Sequence, residues 1–84
     1  KLIEFAEKRI KKISQFYFNI IDVFVYTKVE NTNDRINKLV EFKIGIPGDD
    51  VVVKKAAKTF EEAINLAANS AEKILKRRKN KQRF

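Results

Sequence analysis

Residues 59–84 read TFEEAINLAANSAEKILKRRKNKQRF and carry the clearest periodic pattern of the chain. Apolar residues recur there every three or four positions, which predicts one buried face of a helix. Thr59 and Glu62 have the spacing of a capping box, in which the threonine oxygen accepts a hydrogen bond from a free amide of the first turn. Glu61 and Glu62 also suit the amino end of a helix dipole. The predicted buried positions are Phe60, Ala63, Ile64, Ala67, Ala71, Ile74 and Leu75.

The second half of this helix is strongly basic, and so is the chain as a whole. Nineteen Lys and Arg against eleven Asp and Glu give a net charge of +8 on 84 residues. Such an excess favours an anionic polymer as partner, with nucleic acid ahead of a membrane surface. The charge run by itself leaves open the alternative of a solvated, frayed helix end.

Composition argues against several kinds of site. There is no cysteine and no histidine, which removes disulfides, thiolate metal sites and the commonest general base. The acidic pairs at 49–50 and 61–62 are explained by a turn and by a helix start, so we expect no enzyme, no metal site and no cofactor. No apolar run approaches the ~20 residues of a membrane span and no signal peptide is visible, which fits a cytoplasmic location.

Residues 1–16 predict a second amphipathic helix, because apolar residues again recur at helical spacing. Lys8, Arg9, Lys11 and Lys12 fill much of its remaining surface. An ordinary surface helix and a helix that faces nucleic acid both fit this pattern. The predicted apolar positions are Leu2, Ile3, Phe5, Ala6, Ile10, Ile13 and Phe16.

The apolar period changes to two after a short turn at 17–19, which predicts a strand from Ile21 to Val29. We interpret Phe24 and Tyr26 as side chains on a buried or half-buried face of the sheet rather than as a stacking platform for bases. The rest of the middle is predicted as a hairpin loop at 30–37, a strand at 38–46, a turn at 47–50, a strand at 51–55 and a connection at 56–58.

The predicted order is therefore helix, three strands, helix. Hairpins join the strands into an antiparallel meander, and both helices bury their apolar faces on one side of it. The fold class is α+β, a two-layer sandwich, and residues 1–84 are expected to form a single domain.

One basic run resembles a motif of double-stranded-RNA-binding domains. Lys54-Lys55-Ala56-Ala57-Lys58 is similar to the Lys-Lys-x-Ala-Lys run that opens the second helix of those domains. The capping box, however, predicts that the helix here begins only at Thr59. A general double-stranded-RNA-binding module is thus one alternative function, and an oligomerisation module that uses the long helix is another.

Five short runs, taken in order, cover nearly the whole chain. They are KLIEF at 1–5, ISQFY at 13–17, VENT at 29–32, IPG at 46–48 and KTFEEAINLA at 58–67. In this order and spacing they resemble the ribosome hibernation-promoting factors, also called ribosome-associated translation inhibitors. The resemblance is to the short form or to an isolated amino-terminal domain.

The resemblance implies a fold of strand, helix, three strands and helix, so we expect a further strand before Lys1. It also implies a stasis factor of resting bacterial cells, which lodges between the head and body of the small ribosomal subunit and blocks the channel for messenger and transfer RNA. We expect ribosomal RNA as partner, no small-molecule substrate, no membrane, and a monomer away from the ribosome. The lysines at 54–55 depart from the acidic residues that several members carry around these positions.

Phosphates of ribosomal RNA call for clustered cations, and two adjacent helices would gather them on one positive surface. The residues that we expect to contact RNA are Lys8, Lys11, Lys12, Lys54, Lys55, Lys58, Lys73, Lys76, Arg77 and Lys79.

Overall fold

The fold was analysed in a computed structural model, which describes the backbone of residues 1–16, 19–32 and 35–81 and the side chains of 1–15, 19–31 and 37–78. The predicted order of elements and the α+β sandwich are confirmed. The elements are α1 (Leu2–Phe16), β1 (Asp22–Thr32), β2 (Arg35–Ile46), β3 (Asp49–Ala57) and α2 (Phe60–Lys81).

The three strands form one antiparallel sheet in the order β1-β2-β3. Phe42 at the centre of β2 lies opposite Val25 of β1 and Val53 of β3, so apolar side chains of all three strands share one face. That face packs against α2, and α1 packs beside α2. Burial of each large apolar side chain contributes ~1.5–3 kcal/mol. The largest fully buried side chains are Phe42, Ile13, Ile44, Ile64, Leu75 and Val40.

Helix α2 begins where the capping residues predict. The Glu62 amide donates to Thr59 Oγ1 over 3.1 Å, and the Ala63 amide donates to the Thr59 carbonyl oxygen over 3.1 Å. The first bond satisfies an amide that has no partner within the helix, and the second is the first i→i−4 bond of the helix itself. Lys54 and Lys55 consequently belong to strand β3, and Lys58 lies in the connection.

The prediction of a loop at 30–37 is wrong for most of this range. Strand β1 continues to Thr32 and β2 begins at Arg35, with Glu30 opposite Asn37 in the register. Asn and Asp disfavour strands intrinsically, but cross-strand pairing outweighs this weak preference once a hairpin is formed. Residues 33–34 lie outside the described residues.

The next hairpin is tighter than predicted, since Asp49 and Asp50 belong to β3. Ile46 pairs with Asp49, which leaves only Pro47 and Gly48 between the strands. Gly48 has a φ of 79°, the value that the third position of a type II turn requires and that glycine adopts without strain. Pro47 occupies the second position of this turn, and its ring fixes the negative φ that this position requires.

Two predictions of buried faces are wrong. Phe24 and Tyr26 are 49% and 51% exposed, because both helices cover the other face of the sheet. Ile3 is 75% exposed, because α1 is held mainly by α2 and its far side has no neighbour to cover it. Of the apolar positions predicted on the described part of α1, only Ala6 and Ile13 are fully buried, while Leu2, Phe5 and Ile10 are half-buried.

Candidate nucleic-acid interface

The topology brings the carboxyl ends of the two helices to the same end of the molecule. Strands β1 and β3 both run antiparallel to β2, so they run parallel to each other. Each helix joins its strand through a short connection and must therefore return along the sheet against that strand's direction. It follows that α1 and α2 run parallel, and that their basic carboxyl-terminal halves lie side by side.

Arg9 fixes how the helices lie against each other. Its guanidinium donates to Asn65 Oδ1 over 2.8 Å and to Asn69 Oδ1 over 2.9 Å, and it lies 3.7 Å from Glu72 Oε1. The Arg9 and Glu72 side chains are only 22% and 17% exposed. The sequence pattern places Arg9 on the surface of α1 outside its apolar face, and this prediction is wrong, because the side chain is largely buried against α2. Arg9 lies three residues after Ala6 and four before Ile13, a spacing that could have assigned it to the buried stripe.

The side of α2 that faces strand β3 carries a different set of side chains. Lys73 and Arg77 lie one turn apart there, with Ser70 on the same side. Together with Lys54 and Lys55 of β3 they border a shallow groove of about 330 Å³, which we call the seam groove. Its remaining lining is apolar and consists of Val52, Val53 and Ile74.

The seam groove brings together four of the predicted RNA-contact residues. The structure sets Lys73 and Arg77 of α2 beside Lys54 and Lys55 of β3, and a surface shared with the α1 lysines stays a prediction. Lys55 is half-buried at the groove, whereas Lys54 is exposed at its rim. The hydroxyl of Ser70 was missed altogether, because a serine in a helix gives no signal until the neighbouring strand is known.

The other predicted contact residues lie outside the seam groove. Lys8, Lys11 and Lys12 are exposed on α1, and Lys58 is exposed between β3 and α2. Lys76 is exposed on α2 and makes an interaction of its own. Lys79 belongs to α2 by its backbone, but its side chain lies outside the described residues. Their role in binding RNA stays a prediction.

Two further cations make contacts within the fold, one as an ion pair and one as a cation–π contact. Arg78 lies 2.7 Å from Asp49 Oδ2 and so ties α2 to the turn that opens β3. The Lys38 ammonium lies 5.7 Å from the centre of the Phe60 ring, a cation–π contact at the start of α2. Both were invisible in the sequence because their partners are distant along the chain.

The open face of the sheet is less suited to phosphates than the helix side. Phe24 and Tyr26 stack there with ring centres 6.5 Å apart. By register the described side chains of this face carry charges of both signs and give it no net positive charge. The charged ones among them are Asp22, Lys28, Glu30, Glu41, Lys43, Asp50 and Lys54.

The described part of the chain also bears on metal binding and on membrane insertion. No group of three or more acidic, cysteine or histidine side chains lies close enough together to hold a metal ion. Neither helix, over its described residues, is long and apolar enough to cross a membrane.

Comparison with solved structures finds the same fold in two ribosome-related proteins. One is a ribosomal subunit interface protein from Coxiella burnetii, with a TM-score of 0.76, 18% identity, and coverage of 92% of this chain and 80% of that one. The other is the amino-terminal domain of Protein Y from Thermus thermophilus, with a TM-score of 0.67, 18% identity, and coverage of 88% and 78%. No curated protein sequence matches the chain significantly.

The sequence pattern of a family extends this likeness beyond the fold. The pattern described as sigma 54 modulation protein / S30EA ribosomal protein matches residues 1–83, which is nearly the whole chain. This agrees with the resemblance to the hibernation-promoting factors found in the five sequence runs. The chain belongs to the S30EA ribosomal protein family.

Proposed function

We propose that this protein is a ribosome hibernation factor that binds the small ribosomal subunit in its mRNA and tRNA channel and silences translation. The observation that carries the proposal is the match of the family pattern over residues 1–83. In the proposed complex the positive helix side faces ribosomal RNA, and the ten predicted cations supply phosphate contacts. Away from the ribosome the protein is a monomer in the cytoplasm.

The charge distribution supports this orientation. A net charge of +8 attracts RNA over several ångströms, and phosphate contacts position a protein on RNA without reading its sequence. Helices α1 and α2 lie side by side, so the basic residues of both can reach one stretch of RNA together. Most of the open face, with its mixed charges, points away from the RNA in this arrangement, and Lys54 contacts the RNA from the rim beside α2.

The alternative of a general double-stranded-RNA-binding module loses its main support. Its Lys-Lys-x-Ala-Lys run would have to open the second helix, where the ammonium groups can span a groove of the duplex. Here Lys54 and Lys55 belong to β3, and the helix starts only after Thr59.

The proposal is tested by cosedimentation of the protein with purified small subunits, large subunits and a plain RNA duplex. We expect preferential binding to small subunits and slower translation in a reconstituted system. If about six phosphates are contacted, affinity should fall by three or more decades between low and moderate salt. Equal affinity for the duplex, or translation that continues at its normal rate with the protein bound, would contradict the proposal.

A triple variant tests the orientation. Lys73→Ala, Lys76→Ala and Arg77→Ala together should lower the slope of log affinity against log salt by about 2, since each lost phosphate contact removes ~0.7–0.9. Glu61→Ala, exposed at the opposite end of α2, is the control and should bind as the wild type does. Circular dichroism verifies that both variants are folded.

A further inference from the structure

The seam groove has the features of an anion site built from two elements. Strand β3 supplies Lys54 and Lys55, and helix α2 supplies Lys73 and Arg77, so four positive groups border about 330 Å³ of space. Ser70 adds a hydroxyl that can donate a hydrogen bond.

The cations of the seam groove also differ from the paired arginines elsewhere. Arg9 is neutralised by Glu72 and Arg78 by Asp49. Within the part of the chain that the structure describes, no carboxylate lies within ion-pair distance of Lys55, Lys73 or Arg77. Like charges held together without a counter-charge oppose folding, so the groove does not serve the stability of the domain.

The shape and lining of the groove favour a polymer backbone over a free nucleotide. The groove is shallow and open to solvent, whereas sites for small molecules enclose most of the ligand. Among the described residues, its lining offers no aromatic ring for a base and no carboxylate or side-chain amide for a ribose. The aromatic pair Phe24 and Tyr26 lies on the opposite face of the sheet. What the groove can recognise is therefore phosphate charge.

We propose that the seam groove holds the phosphate backbone of an RNA strand along the boundary of β3 and α2, independently of the α1 lysines. The proposal rests on the proposed function only in that the RNA is ribosomal. The groove cations bind consecutive phosphates and leave the bases facing away, so this contact carries no preference for sequence. Lys54 at the rim extends the positive surface toward the edge of the sheet.

The experiment compares two double variants with the same change in charge. Lys55→Gln with Arg77→Gln removes two groove cations, and Lys28→Gln with Lys43→Gln removes two exposed cations from the open face. Binding of a labelled single-stranded RNA and of small ribosomal subunits is measured over a salt series. The groove variant should lower the slope of log affinity against log salt by about 1.5, and the open-face variant should leave it near the wild-type value.

Amide chemical shifts locate the contact directly. On titration with the single-stranded RNA, amides of residues 54–55 and 70–77 should shift in the wild type and stay in place in the groove variant. Titration with inorganic pyrophosphate separates a backbone site from a site for free phosphates. Binding of pyrophosphate as tight as that of RNA would overturn the choice of occupant.

The outcomes separate this proposal from the proposed function. If both double variants lower the slope of log affinity against log salt by the same amount, the groove has no special role in RNA binding. Binding to small subunits and silencing of translation can still hold in that case. If the groove variant loses RNA binding but the wild type never binds small subunits, the groove site stands and the ribosomal function falls. Unchanged RNA affinity in a folded groove variant would overturn the groove proposal.

Discussion

Replacement of Arg9 by alanine should release helix α1 from the rest of the domain. On the described part of α1 only Ala6 and Ile13 are fully buried, and Arg9 lies on the same stripe between them. The other packed apolar side chains of α1 are only half-buried, so the polar clamp to Asn65, Asn69 and Glu72 adds substantially to the attachment of the helix.

The expected loss follows from the contacts. Two hydrogen bonds from a charged donor contribute ~1–1.5 kcal/mol each when their acceptors are partly solvated. The ion pair at 3.7 Å adds at most ~1 kcal/mol. Truncation also leaves the Glu72 carboxylate, 17% exposed, without its cation. We expect a loss of about 2–4 kcal/mol in the free energy of unfolding, which corresponds to a fall in Tm of at least ~8 °C.

Urea denaturation and amide hydrogen exchange measure the effect and its location. Exchange should accelerate first in residues 2–16, while β2 and the first turns of α2 stay protected. Arg9→Lys keeps the charge but lacks the planar guanidinium that donates to both asparagines. Its free energy of unfolding should lie between those of the wild type and Arg9→Ala. Lys8→Ala, one residue away and exposed, is the control and should stay within ~0.5 kcal/mol of the wild type. If Arg9→Ala is no less stable than Lys8→Ala, the clamp does not hold α1 and the reasoning is wrong.

Two changes test local structure around α2. Thr59→Ala removes the oxygen that accepts from the Glu62 amide, so the free energy of unfolding should fall by about 0.5–2 kcal/mol; an unchanged denaturation midpoint would mean that the cap is not needed. The pKa of Asp49 is lowered by the Asp50 amide that donates to it and by Arg78, so its contribution to stability is present at neutral pH and disappears as the pH falls through that lowered pKa. Asp49→Asn should therefore be less stable than the wild type at neutral pH and equally stable in acid, and a difference that stays constant with pH would exclude this linkage.

The sequence by itself determined the order of the elements and the buried faces of β2 and α2. The alternation of Val40, Phe42, Ile44 and Ile46 has the period of a strand, and this period survives in the buried face of β2. The start of α2 was also predictable, because Thr59 and Glu62 are only three residues apart and a cap is a local interaction. The family, too, was readable from short runs in a fixed order.

Only the tertiary structure decided which face of the sheet stays open. The alternation of β1 separates Phe24 and Tyr26 from the valines, but both sets are apolar and either could face the helices. The packing of α2 against the sheet makes that choice, and it exposes the aromatic pair.

The candidate interface likewise depends on distances that no local pattern contains. Residues 55 and 77 are far apart in sequence, and only the return of α2 along the edge of the sheet places Lys55 and Arg77 in one groove. The same packing turns Arg9 from a surface cation into a clamp. A sequence fixes which charges exist, whereas the folded backbone decides which of them are neutralised and which face a partner.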